Sequence, residues 1–131
     1  MNKINAIITT IEAEDKVTLV CFAVGAEHLE MMSLGLSEQL VEGSGVSVGV
    51  KATNIALSLS KLGDVSITNQ IETTITAIKM GSLLCCIAFH FEGVAWESVI
   101  TKRSAQEMQL SVGKKVVVLI KSSDLSIIEV L

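Results

Sequence analysis

Apolar and polar positions along this chain follow mostly the period of strands. Ile71 through Ile78 alternates apolar residues with threonine, Leu83 to Phe91 is a β-prone apolar run, Val116 to Ile120 is another, and Leu125 to Val130 closes the chain with a further strand. In this half only Ser104 to Leu110 has the character of a helical turn, stopped by Gly113 after Ser111-Val112. A counterpart helix is predicted in the first half at Ser37 to Leu40, stopped by Gly43.

The chain also aligns with itself. A shift of 67 superposes Asn2 on Asn69, Ile4 on Ile71, Ile8 on Ile75, Thr9 on Thr76, Ile11 on Ile78 and Phe22 on Phe89. A shift of 70 then superposes Gln39 on Gln109, Leu40 on Leu110, Gly43 on Gly113, Val46 on Val116, Val48 on Val118 and Lys51 on Lys121. The three-residue difference is placed between Phe22 and Met31, where the second copy carries Gly93-Val94-Ala95-Trp96. Two copies of a roughly 65-residue unit follow, residues 1–63 and 66–131, joined near Leu62-Gly63-Asp64-Val65. Five short strands and one short helix per copy predict an all-β protein of two tandem OB-like five-stranded β-barrels. Units this small bury little surface alone, so the copies should pack together and the chain should form a homo-oligomer, a trimer being favoured. A mean hydropathy of +0.59 agrees with apolar strand surface covered by another subunit.

Composition narrows the function. Half of the 131 residues are hydrophobic and 18% are charged, which excludes a disordered chain. Ten basic residues against fourteen acidic ones leave a net charge of −4, no footprint for nucleic acid or anionic lipid. The aromatics Phe22, Phe89, Phe91 and Trp96 are too few for base-stacking platforms. Cys21, Cys85 and Cys86 lack metal or redox spacing and are expected as reduced core thiols. No run of about eighteen apolar residues occurs, and the opening Met1-Asn2-Lys3-Ile4-Asn5 is unlike a leader, so a cytoplasmic protein with no membrane or nucleic-acid partner is expected. No nucleophile, base and orienting group share a motif, and no metal site, cofactor or enzymatic activity is expected.

One constellation carries candidate chemistry: Thr101-Lys102-Arg103-Ser104, then Gly113, then Lys121-Ser122-Ser123 after the Val116 to Ile120 strand. Hydroxyls at a helix entrance, with a lysine and serines at a strand end, suit a compact tetrahedral oxyanion, which needs donors converging from several directions. The plainer reading is a helix N-cap and a polar turn. Lys51 recurs in the first copy, followed by Ala52-Thr53, whereas Met31 and Leu34 are aligned with Thr101 and Ser104.

The segment Ser66-Ile67-Thr68-Asn69-Gln70-Ile71 resembles the Ser-Ala-Arg-Asn-Gln-hydrophobic opening of the Mop (TOBE-type) molybdate-binding domain. Thr101, Ser104, Leu110, Gly113, the Val116 to Ile120 strand and Lys121-Ser122-Ser123 resemble that family's closing pattern. Tandem copies resemble the di-domain molbindins. The resemblance implies a molybdate or tungstate ligand, held between domains or subunits by Ser66, Thr68, Thr101, Ser104, Lys121 and Ser122, with Lys51 and Thr53 in the first copy. Thr68 stands where the family has arginine, exchanging a guanidinium for a neutral hydroxyl. The implied role is storage or buffering of molybdate. The alternative is a Mop-type regulatory module with decayed pockets, acting through a transporter or transcription-factor partner.

Overall fold

The computed structural model describes residues 1–131. The first copy contributes β1 (Asn2–Glu14), β2 (Val17–Val24), β3 (Glu27–Leu34), β4 (Gly45–Val50), a 3-10 turn at Ala52–Asn54 and β5 (Ala56–Ser58). The second contributes β6 (Asn69–Met80), β7 (Leu84–Phe91), β8 (Val94–Thr101), α1 (Lys102–Glu107), β9 (Lys115–Ile120), a 3-10 turn at Ser122–Asp124 and β10 (Ser126–Val130).

These strands form two five-stranded antiparallel sheets, ordered β10-β4-β1-β2-β3 and β5-β9-β6-β7-β8. Each sheet takes four strands from one copy and its fifth from the other. Ala56 and Leu57 of β5 pair with Leu119 and Val118, and Ser126 and Ile127 of β10 pair with Gly49 and Val48. The exchange covers the edges that β4 and β9 would otherwise leave open, and makes interior strands of Val46–Val50 and Val116–Ile120, which are buried without alternation. In the second sheet β5 also touches β8, so the sheet curls toward a half-barrel.

The core ignores the repeat boundary. A single cluster of twenty buried residues unites Phe22 and Val48 of the first copy with Phe89, Trp96 and Val118 of the second. Phe91 and Trp96 meet edge to face, with centroids 5.2 Å apart and planes at 76°. A smaller cluster, Ile75, Cys85, Ile87, Ala105 and Val116, lies where α1 covers the end of the second sheet.

Two matched amide clamps fasten the copies. Asn2 Nδ2 donates to the Glu97 carbonyl (2.8 Å) and its Oδ1 accepts from the Glu97 N–H (2.9 Å). Asn69 makes the same two bonds to Glu30, both 2.8 Å. The Trp96 indole adds a bond to the Lys3 carbonyl at 3.0 Å.

Strand register moves the three-residue difference. Val17 pairs with Leu34 as Leu84 pairs with Thr101, and both pairs differ by 67, so that shift holds to the end of β3 and β8. The shift becomes 70 only between β4 and β9, and 70 − 67 = 3 extra residues therefore fall beyond Thr101, not around Gly93–Trp96. Leu34, rather than Met31, is the counterpart of Thr101. The helix expected at Ser37–Leu40 is a turn, closed by the Leu40 N–H on the Ser37 carbonyl at 3.0 Å. With three residues fewer and Gly35 at φ +91° directly after β3, this stretch lacks the length to build the helical turn that α1 completes. In the second copy α1 starts earlier than Ser104 and ends at Glu107, before the left-handed Gln109 (φ +54°).

Candidate functional site

The end of β8 builds the helix entrance. Thr101, extended at φ −72° and ψ 148°, accepts the Ser104 N–H at 3.1 Å and donates its hydroxyl to Ser104 Oγ at 2.9 Å. The cap and the hydroxyl pair are thus one arrangement. With Thr101 donating, Ser104 keeps its own hydroxyl hydrogen for another acceptor. The Lys102 N–H ties the helix start to the Leu83 carbonyl at 2.8 Å. In front lies an open cavity of about 600 Å³, lined by Ser82, Thr101, Lys102, Arg103 and Gln106 against an apolar wall of Leu83 and Leu84.

A second group forms where β6 begins and β9 ends. Asn69 pairs with Ile120, so Ser66–Thr68 leads into β6 beside the point where Lys121 and Ser122 leave β9. Thr68 donates to the Glu30 carboxylate across the seam at 3.4 Å, a long bond. The turn after Lys121 packs on β3. Its first-copy counterpart, containing Thr53 and preceded by Lys51, packs on β8, where the buried Ser98 hydroxyl donates to the Ile55 carbonyl at 2.7 Å. Within one chain, then, the turn at Lys51 and Thr53 sits on the strand that ends at Thr101, and the turn at Lys121 and Ser122 sits on the strand that ends at Leu34.

Sequence reasoning singled out the hydroxyls of the Thr101–Ser104 stretch and passed over the two cations between them. Lys102, Arg103, Gln106 and Ser82 line the cavity although none belongs to the ligand set that the residue pattern implies. A usable signal existed, since Arg103 is the sole arginine of the sequence. Cys85 and Cys86 are poor nucleophiles: burial raises the Cys85 pKa, and burial together with the hydrogen-bonded Glu97 carboxylate raises Cys86 to about 11. No group of three His, Cys, Asp or Glu side chains is placed to hold a metal ion, and no helix is long and apolar enough to cross a membrane.

Comparison with known families bears on the second copy. Residues 65–127 match the TOBE domain. This TOBE-type stretch contains every second-copy candidate from Ser66 to Ser122. Among solved structures, the whole tandem arrangement is similar to the cytoplasmic molybdate-binding protein ModG in a form with molybdate bound. The TM-score is 0.92 at 21% identity, over 99% of this chain and 96% of that one. A molybdate-binding protein from Sporomusa ovata aligns with 51% of this chain and all of its own, at 25% identity and a TM-score of 0.49. Comparison with proteins of curated function gives no match. The TOBE resemblance read from the residue pattern of the second copy therefore holds, and the two-sheet tandem fold is the fold of ModG.

Proposed function

We propose that this protein binds molybdate, with tungstate as close competitor, and serves to store or buffer the oxyanion in the cytoplasm without catalysing a reaction. The ligand lies at interfaces between the two repeat units, residues 1–63 and 66–131, or between subunits of a homo-oligomer, a trimer being favoured. Thr101, Ser104, Ser66, Thr68, Lys121 and Ser122 supply donors, and Lys51 and Thr53 supply a reduced first-copy set. The observation that carries this reading is the Thr101 hydroxyl, bonded to Ser104 and lining one cavity with Lys102 and Arg103 at the end of β8, in a tandem fold that ModG uses with molybdate bound. Selectivity over sulfate comes from pocket size and donor spacing, since both ions are tetrahedral dianions. In the first copy, Leu34 replaces Thr101 and is 85% exposed, so any site there has lost that hydroxyl.

Thermal unfolding with increasing molybdate, tungstate or sulfate tests the reading. A ligand at a hundred times its Kd stabilises the folded state by about 2.7 kcal/mol, giving a concentration-dependent rise in Tm. Molybdate and tungstate should raise Tm and sulfate should not; no rise at millimolar molybdate or tungstate rejects the reading. The exposed cross-strand pairs Val17–Leu34 and Leu19–Met32 favour a second reading, a module docking on a transporter or transcription factor. Capture of such a partner irrespective of molybdate supports that reading instead.

A further inference from the structure

Charge is distributed unevenly among the open cavities of this molecule. One pairs Lys61 and Lys115 with Glu72, another pairs Lys3 with Glu92, a third holds only Glu129, and a fourth holds Glu12, Glu14 and Asp15. The cavity at the end of β8 holds Lys102 and Arg103 with no carboxylate in its lining, in a chain of net charge −4. Glu107 follows on the same helix but does not line it. The other cluster of donors, around Ser66, Thr68 and Lys121, includes the Glu30 carboxylate, already engaged by Thr68. A dianion approaching that cluster meets one ammonium group and one fixed negative charge.

We propose that Arg103, with Lys102 beside it, is the principal cationic contact for the tetrahedral oxyanion, which makes the cavity at the end of β8 the primary site and the Lys121 cluster an auxiliary one. This rests on the molybdate reading above and assigns a ligand role that the TOBE-type residue pattern leaves out. The guanidinium fork presents parallel N–H groups to two oxygens of one tetrahedral face, which an ammonium group cannot do. Gln106, three residues along α1 from Arg103, is on the same side of the helix and adds amide donors, and the hydroxyls of Ser82 and Thr101 add more. Leu83 and Leu84, 78% and 55% exposed, give the cavity one apolar side, so its polar donors all converge from the other. The cations here come from side chains, so nothing is asked of the dipole of the six-residue helix.

The experiment is calorimetric titration of the full-length wild type, Arg103→Gln, Arg103→Lys and Lys121→Ala with sodium molybdate at fixed low ionic strength, repeated with tungstate. Arg103→Gln should weaken binding at least tenfold, Arg103→Lys should recover part of the loss, and Lys121→Ala should weaken binding less than Arg103→Gln. Arg103 is exposed, so the ligand-free Tm of its variants should match wild type. Should Arg103→Gln lower that Tm, Arg103→Lys decides, because it keeps the charge and removes the fork. Wild-type affinity in Arg103→Gln, or a larger loss in Lys121→Ala, overturns the assignment to Arg103 and leaves molybdate binding standing. Failure of the wild type to bind molybdate and tungstate overturns both.

Discussion

Replacing Asn69 with alanine removes both arms of one seam clamp. Asn69 is 2% exposed, and its amide satisfies the N–H and the carbonyl of Glu30 at 2.8 Å each. An orphaned buried polar group costs about 1–3 kcal/mol. Glu30 is itself only half-buried, so water can partly relieve the orphans, and the lower half of that range applies to each. Two orphans then cost about 2–4 kcal/mol, a large share of the ~5–15 kcal/mol that stabilises an ordinary domain. Asn69→Asp should cost at least as much, because a carboxylate can still accept the N–H but would face the Glu30 carbonyl oxygen in a buried place. Urea unfolding followed by circular dichroism reads the effect as a lower midpoint at unchanged m-value. The counterpart Asn2→Ala, removing the two bonds to Glu97, should lose a similar amount. A loss under about 0.5 kcal/mol in both variants refutes the reasoning, since side-chain amides would then not be what joins the copies.

Three further outcomes are expected. The continuous core and exchanged strands should make both copies unfold together, so Trp96 fluorescence, which reports the seam through the Lys3 carbonyl, and far-ultraviolet circular dichroism should share one midpoint; two separated midpoints would contradict this. A Cβ at Gly49 would stand 2.7 Å from Ile128 Cγ1 and 3.1 Å from the Asn2 carbonyl oxygen, so Gly49→Ala should cost about 1–3 kcal/mol, part of it recovered by adding Ile128→Ala. The Cys86 thiol, raised from 9.0 to about 11, stays protonated in the folded state after an unfolded thiol would ionise, so its contribution to stability is full below pH 9 and declines as pH rises toward 11. Native Cys86 should therefore alkylate slowly at pH 9, and Glu97→Gln should accelerate it; unchanged alkylation would deny Glu97 its part in the shift.

The all-β tandem architecture was legible because period-two patterning survives in both copies, as the burial of Ile4, Ala6 and Ile8 against exposed Lys3, Asn5 and Ile7 illustrates. Which strand lies beside which was not. Alternation states which face of a strand is buried but names no neighbour, so the crossing of β5 and β10 into opposite sheets left no mark on the pattern. The three-residue difference could be placed anywhere between Phe22 and Gln39 on matching residues alone; only the hydrogen-bonded pairs Val17–Leu34 and Leu84–Thr101 locate it. At the candidate site, Thr101 and Ser104 were legible as helix-entrance hydroxyls, and their mutual hydrogen bond agrees. Arg103 was passed over because a charged residue on a short exposed helix ordinarily belongs to a solvated face, and its alignment with a cavity is a tertiary fact. Asn2 and Asn69 stood out as a repeated pair without a role, since their partners Glu97 and Glu30 are backbone groups, which leave no trace in side-chain identity.

The placement of the extra residues also explains how two nearly symmetric copies can differ in chemistry. Most of what joins them is matched in pairs: the Asn2 and Asn69 clamps, β5 and β10, and the two 3-10 turns packed on β8 and β3, with the Trp96 bond to the Lys3 carbonyl as an unpaired addition. An insertion within β3 or β8 would have slipped a register and turned a buried face outward. Beyond Thr101 the β7–β8 ladder has made its last pair, so three residues can be added there at little cost in closure entropy. The added length lets the stretch close as α1, whose Ala105 seals the small cluster around Ile75 and Ile87 while Arg103 and Gln106 line the cavity outside. In the first copy the same strand end finishes at an exposed Leu34 with no helix and no cation pair. The difference between the copies therefore arises at a strand end that neither the ladder nor the seam constrains.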